Sequence, residues 1–179
     1  MAARRRGPAP IVAVSGPSGA GKTRLITRLL PLLRRRGLTV AVIKHTGHPH
    51  GLDVPGKDTD LFIRAGAVAA AIQGPAGLAY FGPPTAGARS MARLLPPCDL
   101  ILAEGWRSEP LPRIEVHRRA LEAAFLCATD RRVFALVSDE PAPRRVPTFD
   151  PDRLGPLADL LVARLAGPGR RRRAAGRTS

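Results

Sequence analysis

Short, nearly continuous apolar runs recur along the chain, and each ends on glycine or on polar residues. Pro10-Ile11-Val12-Ala13-Val14-Ser15, Thr39-Val40-Ala41-Val42-Ile43-Lys44, Asp99-Leu100-Ile101-Leu102-Ala103 and Val133-Phe134-Ala135-Leu136-Val137 have this form. A strand covered on both faces needs apolar side chains at successive positions, so these runs predict the core strands of a parallel sheet. Between the first two the period changes. Leu25, Ile26, Leu29, Leu30 and Leu33 repeat at helical spacing, with Arg24, Arg28, Arg34 and Arg35 opposite them, and predict an amphipathic helix from Lys22 to Arg36. Gly37 is placed to end it, and Pro31 to kink its last turn. Strand, helix and strand in this order make a right-handed crossover unit.

Weaker patterns complete the outline. Asp58 to Ala65 and Gly87 to Leu95 predict helices, and Val68 to Ile72 and Leu78 to Phe81 short strands. Ile114-Glu115-Val116-His117 alternates, as an edge strand would. A last amphipathic helix begins near Asp152 and uses Leu157, Leu160, Leu161 and Leu165. Strands alternating with helices predict an α/β fold of P-loop NTPase type: a mostly parallel central sheet with helices on both faces. His45 to Lys57 is polar, broken by Gly and Pro and longer than a plain connection needs, so it reads as a functional loop.

Composition narrows the classes. A chain of 179 residues has room for one substantial domain, expected over 10–166 between a basic N-terminus (1–9) and an Arg-rich tail (167–179). The formal charge of +15 suggests nucleic acid at first sight. Eight of the arginines, however, are Arg4 to Arg6, Arg170 to Arg173 and Arg177, in segments without acids and with little to bury, which predicts disorder there. The body retains about +7, compatible with polyanionic small molecules. Only 4% of residues are aromatic, which argues against a stacking platform for single strands. Cys98 and Cys127 form no CxxC pair, and no apolar stretch is long enough to span a bilayer, so a reduced, cytoplasmic setting is expected.

The candidate chemistry starts where the first strand ends. Gly16, Pro17, Ser18, Gly19, Ala20, Gly21, Lys22 and Thr23 fit the phosphate-loop pattern between a strand and a helix. Such a loop turns backbone N–H groups toward phosphate at the positive end of the helix, while Lys22 reaches the β- and γ-phosphates and Thr23 ligates Mg²⁺. A second magnesium anchor is expected at the carboxyl end of a neighbouring strand, where Glu104 stands. Asp53 and Asp58 compete for a magnesium or water-activating role, and Asp58 and Glu104 are the two catalytic candidates. With no asparagine in the chain, an Asn-Lys-x-Asp guanine reader is impossible. Asp139, just after a core strand, is the substitute, since a carboxylate can accept from guanine N1 and N2.

Taken together, Gly16 to Thr23, Val42-Ile43-Lys44-His45-Thr46, Pro55-Gly56-Lys57-Asp58-Thr59, Arg64-Ala65-Gly66-Ala67, Leu102-Ala103-Glu104-Gly105-Trp106 and Pro112-Arg113-Ile114-Glu115-Val116-His117-Arg118 resemble the MobB family of molybdopterin-guanine dinucleotide biosynthesis adapter proteins. The resemblance spans residues 10 to 165. It implies a homodimer that binds GTP with Mg²⁺, hydrolyses it weakly if at all, and assists the guanylyltransferase that joins GMP to molybdopterin. The family often carries a second histidine where this chain has Gly47.

The basic residues gain a reading from that resemblance. His45, Lys57, Arg64 and Arg107 are substrate-binding candidates, and Arg113 and Arg118 could join them around an anionic ligand. His45, His48 and His50 also admit a metal site. Glu115 looks to Arg113 or Arg118 as its partner. The alternatives to the adapter are a P-loop small-molecule kinase, with residues 107 to 119 as its lid, a metallochaperone GTPase using the histidine loop, and a nucleic-acid binder acting through the arginine tails.

Overall fold

The computed structural model describes residues 8–46 and 53–174, with side chains through 166. His48, His50, Arg4 to Arg6, Arg177 and the side chains of Arg170 to Arg173 lie outside the described residues. The elements are β1 (Ile11–Ser15), α1 (Lys22–Arg35), β2 (Val40–Lys44), α2 (Asp58–Arg64), β3 (Ala70–Gly74), β4 (Gly77–Phe81), α3 (Ala88–Ala92), β5 (Leu100–Glu104), β6 (Arg113–His117), β7 (Val133–Ser138), β8 (Thr148–Phe149) and α4 (Gly155–Ala174). The last turns of α4 overlap the start of the segment expected to be disordered.

Six strands form one sheet in the order β2-β5-β1-β6-β7-β8, and every adjacent pair is parallel. The period-two rule then divides the apolar runs between two faces. Val12, Val14, Leu100 and Leu102 point to one face and are covered by Leu25, Ile26, Leu29 and Leu33 of α1 and Leu157, Ala158, Leu161 and Leu165 of α4. Ile11, Ala13, Ile101 and Ala103 point to the other, where Ala88 of α3, Trp106 and Leu111 complete a second core. Each fully buried leucine or isoleucine contributes about 1.5–3 kcal/mol. α1 passes through Pro31 without a break, and ends as expected at Gly37. Gly37 takes φ +79° and donates to the Arg34 carbonyl, while Leu38 donates to that of Leu33.

The structure corrects the reading of β6. Alternation suggested an edge strand, but β6 lies between β1 and β7 with all five residues buried. Its polar side chains meet internal partners. Glu115 is fully buried and accepts the backbone N–H groups of Leu126 and Cys127, each at 2.7 Å, not an arginine. Arg113 donates to the carbonyls of Arg107 and Glu109 and sits 3.3 Å from Asp130, and His117 Nε2 lies 2.5 Å from Glu140 Oε1. Period-two polarity here marks buried polar groups with internal partners, although the Nδ1 of His117 has none among the described residues.

The chain divides into two compact units. The larger holds the sheet and comprises the segments through His45 and from Gly87 onward. The smaller runs from Thr46 to Ala86 and contains α2 and an antiparallel β3-β4 hairpin in which Gly74 faces Gly77. A hairpin strand pair apart from the main sheet is what the sequence left unseen, since two short apolar runs look alike whichever sheet they join.

Candidate functional site

Gly16 to Thr23 link the carboxyl end of β1 to the start of α1, and the glycines are set by geometry. A methyl on Gly16, at φ +150°, would stand 2.2 Å from the carbonyl oxygen of Val116 in the neighbouring β6. Gly21 caps α1 in the left-handed region, at φ +93°. Lys22 Nζ donates across the loop to the carbonyls of Gly16 (3.1 Å) and Pro17 (2.6 Å). Burial pushes its ammonium below the ordinary lysine range; Glu104 opposes that shift, and Arg107 and Lys44 reinforce it. An anion placed on the loop would relieve this cost.

Thr23 and Glu104 come together. The Thr23 hydroxyl lies 3.0 Å from each carboxylate oxygen of Glu104, and Lys44 Nζ is 3.6 Å from one of them. Parallel pairing causes this: Lys44 on β2 and Val14 on β1 flank Glu104 on β5 in register, at the strand ends beside the loop. Magnesium favours a few hard oxygen ligands and retains waters and phosphate oxygens around them. A hydroxyl and a carboxylate in contact at the phosphate loop fit that requirement. Among the described residues no group of three or more His, Cys, Asp or Glu could hold a metal.

The remaining candidates fall in different places. His45 follows β2, donates to the Glu104 carbonyl and lies against Trp106, ring centroids 5.0 Å apart. Gly105, at φ +90°, makes that approach possible, since a methyl there would be 2.2 Å from the His45 carbonyl oxygen. Arg107 is exposed near Lys22. Lys57, Asp58 and Arg64 belong to the smaller unit, where Lys57 caps α2, Asp58 begins it and Arg64 pairs with Asp60 at 3.0 Å. Asp53 there accepts from the Val54 N–H and the Thr59 hydroxyl. Asp139 is exposed after β7, and one of its oxygens already accepts the Arg119 N–H at 2.9 Å, which holds its carboxyl below the usual range. The segment 107 to 119, the lid of the kinase alternative, contains the buried central strand β6.

Sequence reasoning did not find the Lys44–Glu104 contact. Its signal was a lysine and a glutamate each ending an apolar run, but only strand order makes those two ends neighbours.

The comparisons with known proteins agree with this geometry. The family model described as MobB, molybdopterin guanine dinucleotide synthesis protein B, matches residues 11–139. The molybdopterin-guanine dinucleotide biosynthesis adapter protein of Haemophilus influenzae is 31% identical over 164 residues, covering 85% of this chain and 87% of its own. The probable adapter protein of Bacillus subtilis is 36% identical over 175 residues, covering 89% and 95%. The crystal structure of Bacillus subtilis MobB superposes with a TM-score of 0.66 at 26% identity, over 88% of this chain and 99% of that one. A second crystal structure, of a molybdopterin-guanine biosynthesis protein B, gives 0.64 at 28% identity, over 87% and 98%. The matched range runs from the first residue of β1 to Asp139, and so contains the phosphate loop, Lys44, Glu104 and the central strands: the chain belongs to the MobB family.

Proposed function

We propose that this chain binds GTP with Mg²⁺ at Gly16 to Thr23 and serves as an adapter for the guanylyltransferase that joins GMP to molybdopterin. The observation that carries this reading is the contact between the Thr23 hydroxyl and both oxygens of Glu104, at 3.0 Å, beside the loop of Lys22. In this reading Lys22 would neutralise phosphate charge, and Thr23 and Glu104 would hold the Mg²⁺ that offsets the rest of it. Asp139 directs its remaining oxygen to the guanine edge, so it contributes one strong acceptor to base selection. Intrinsic hydrolysis is weak or absent. Glu104 is engaged through both oxygens, as suits a metal anchor more than a base, and Asp58 is left as the second catalytic candidate.

The protein works as a cytoplasmic homodimer. Supporting the dimer, Ile72, Leu78 and Tyr80 of the hairpin are all more than half exposed, and a two-stranded hairpin is marginal in water unless something covers it. His45, Lys57, Arg64 and Arg107 are proposed to contact the anionic substrate, with direct molybdopterin binding as one form of that contact.

A guanylyltransferase assay with molybdopterin and limiting GTP tests the adapter role. Added wild-type protein is expected to raise the rate and Lys22→Ala protein to leave it unchanged; equal effects from the two would remove nucleotide binding from the adapter function. Parallel titrations with GTP and ATP test the base, and equal affinities would end the guanine role of Asp139.

A further inference from the structure

On the side of β1 away from Glu104, a cleft of about 220 Å³ opens beside the phosphate loop. Ala20, Gly21 and the first turns of α1 form one wall, and residues following β6 and β7 the other. Most of its charged lining is already committed. Arg24 and Arg28 lie 3.7 and 3.0 Å from Asp152, and Asp139 accepts from the Arg119 N–H. Arg118 is different. It is half-buried, and among the described residues its guanidinium has no hydrogen bond or ion pair, only a longer-range attraction to the Asp139 carboxylate. A methyl placed on Gly21 would lie 3.9 Å from both its Nε and its Nη2.

That position suits a cation poorly, with only the attraction of Asp139 to offset it. The guanidinium stands over the residue that caps α1, at the end of the helix that carries partial positive charge, one residue from Lys22. An anion on the loop would bring the helix end, Lys22 and Arg118 into one binding site. The direction of the anion follows from what surrounds it. In the proposed site Thr23 and Glu104 would hold the metal on the β5 side, which leaves the cleft on the β6 side for the nucleoside. A nucleotide lying that way would bring the phosphates nearest its nucleoside past Gly21.

We propose that Arg118 is a second cationic contact for the nucleotide, gripping its α- and β-phosphates across the loop from Lys22. This rests on the GTP site described above. A guanidinium presents paired donors to phosphate oxygens, and charge-assisted contacts of this kind are strong. Because the γ-phosphate is not involved, the contact is common to GTP and GDP.

Equilibrium titrations of GTP and GDP, with Mg²⁺, into wild type, Arg118→Ala and Arg118→Lys test this. Arg118→Ala is expected to weaken both nucleotides by a similar factor, about tenfold, and Arg118→Lys to recover part of the loss. Thermal melting of Arg118→Ala should stay within a few degrees of wild type, since the side chain has no hydrogen bond or ion pair to lose and only a longer-range attraction to Asp139. Arg35→Ala, an exposed charge removed from the far end of α1, should change neither affinity. Unchanged affinities for Arg118→Ala, a loss confined to GTP, or an equal loss from Arg35→Ala would each overturn the proposal. Absence of nucleotide binding by the wild type would instead overturn the underlying site.

Discussion

Lys22, at the start of α1, and Glu104, at the end of β5, carry opposite charges beside the phosphate loop. The Lys22 ammonium is held below its ordinary pKa chiefly by desolvation. A base whose folded pKa is depressed costs stability wherever it is charged, so at neutral pH Lys22 is a burden on the free protein that phosphate relieves. Lys22→Met is therefore expected to lose GTP binding while melting within a few degrees of wild type, as thermal scans with and without nucleotide would show. A large drop in melting temperature would mean that its bonds to Gly16 and Pro17 hold the loop together. Glu104→Gln keeps the shape but removes the charge that Thr23 and Lys44 face. It should reduce Mg²⁺-dependent GTP affinity about tenfold or more and leave metal-free binding nearly unchanged. Cys127 offers a simpler check. Burial and the neighbouring Glu115 raise its thiol to about 11, so a thiol reagent at pH 8 should reach it only after unfolding, whereas Cys98 is partly exposed.

Elements were legible where one pattern had one explanation. α1 and its cap at Gly37, the strands β1, β5 and β7 and the phosphate loop follow from spacing, because a run that is apolar throughout suits a strand buried on both faces. β2 has the same pattern but is an edge strand, with Val42 exposed and only Ile43 buried. The bringing together of Thr23 and Glu104 was legible for the same reason: one opens the helix after β1, and the other ends a core strand. β6 was misread because Glu115 and His117 are polar, and only the folded chain supplies the N–H groups and the carboxylate that satisfy them. Asp139 was singled out by its place after a core strand, but its bond to the Arg119 N–H depends on a turn that no local pattern announces. The packing of α1 gives the prediction at this scale. Leu29 is wholly buried among residues of β1, β5 and α4, so Leu29→Ala should cost about 2–5 kcal/mol in denaturant unfolding. A loss below 1 kcal/mol would contradict that core.

The whole molecule combines a parallel sheet that carries the site with a smaller unit whose hairpin leaves apolar side chains exposed. Light scattering should give the mass of a dimer for wild type and of a monomer for Leu78→Lys/Tyr80→Lys; a monomeric wild type would contradict the dimer. Acid sensitivity is also a property of the whole. Asp60, Asp130, Asp139 and Asp159 are held below their ordinary range, first by the Gly56 N–H, the Arg132 side chain, the Arg119 N–H and the Arg36 side chain respectively. Depressed carboxyls stabilise the fold above their unfolded pKa and lose that contribution as pH falls through the folded one. Melting temperature should thus fall below about pH 4 without a step from these groups between pH 5 and 8.

Calorimetric titration of Mg²⁺-GTP into wild-type and Lys22→Ala protein tests the central claim most directly. Saturable binding at one nucleotide per chain for wild type, lost in Lys22→Ala, is the expected result. Equal binding by the two proteins would place the nucleotide elsewhere and contradict the account.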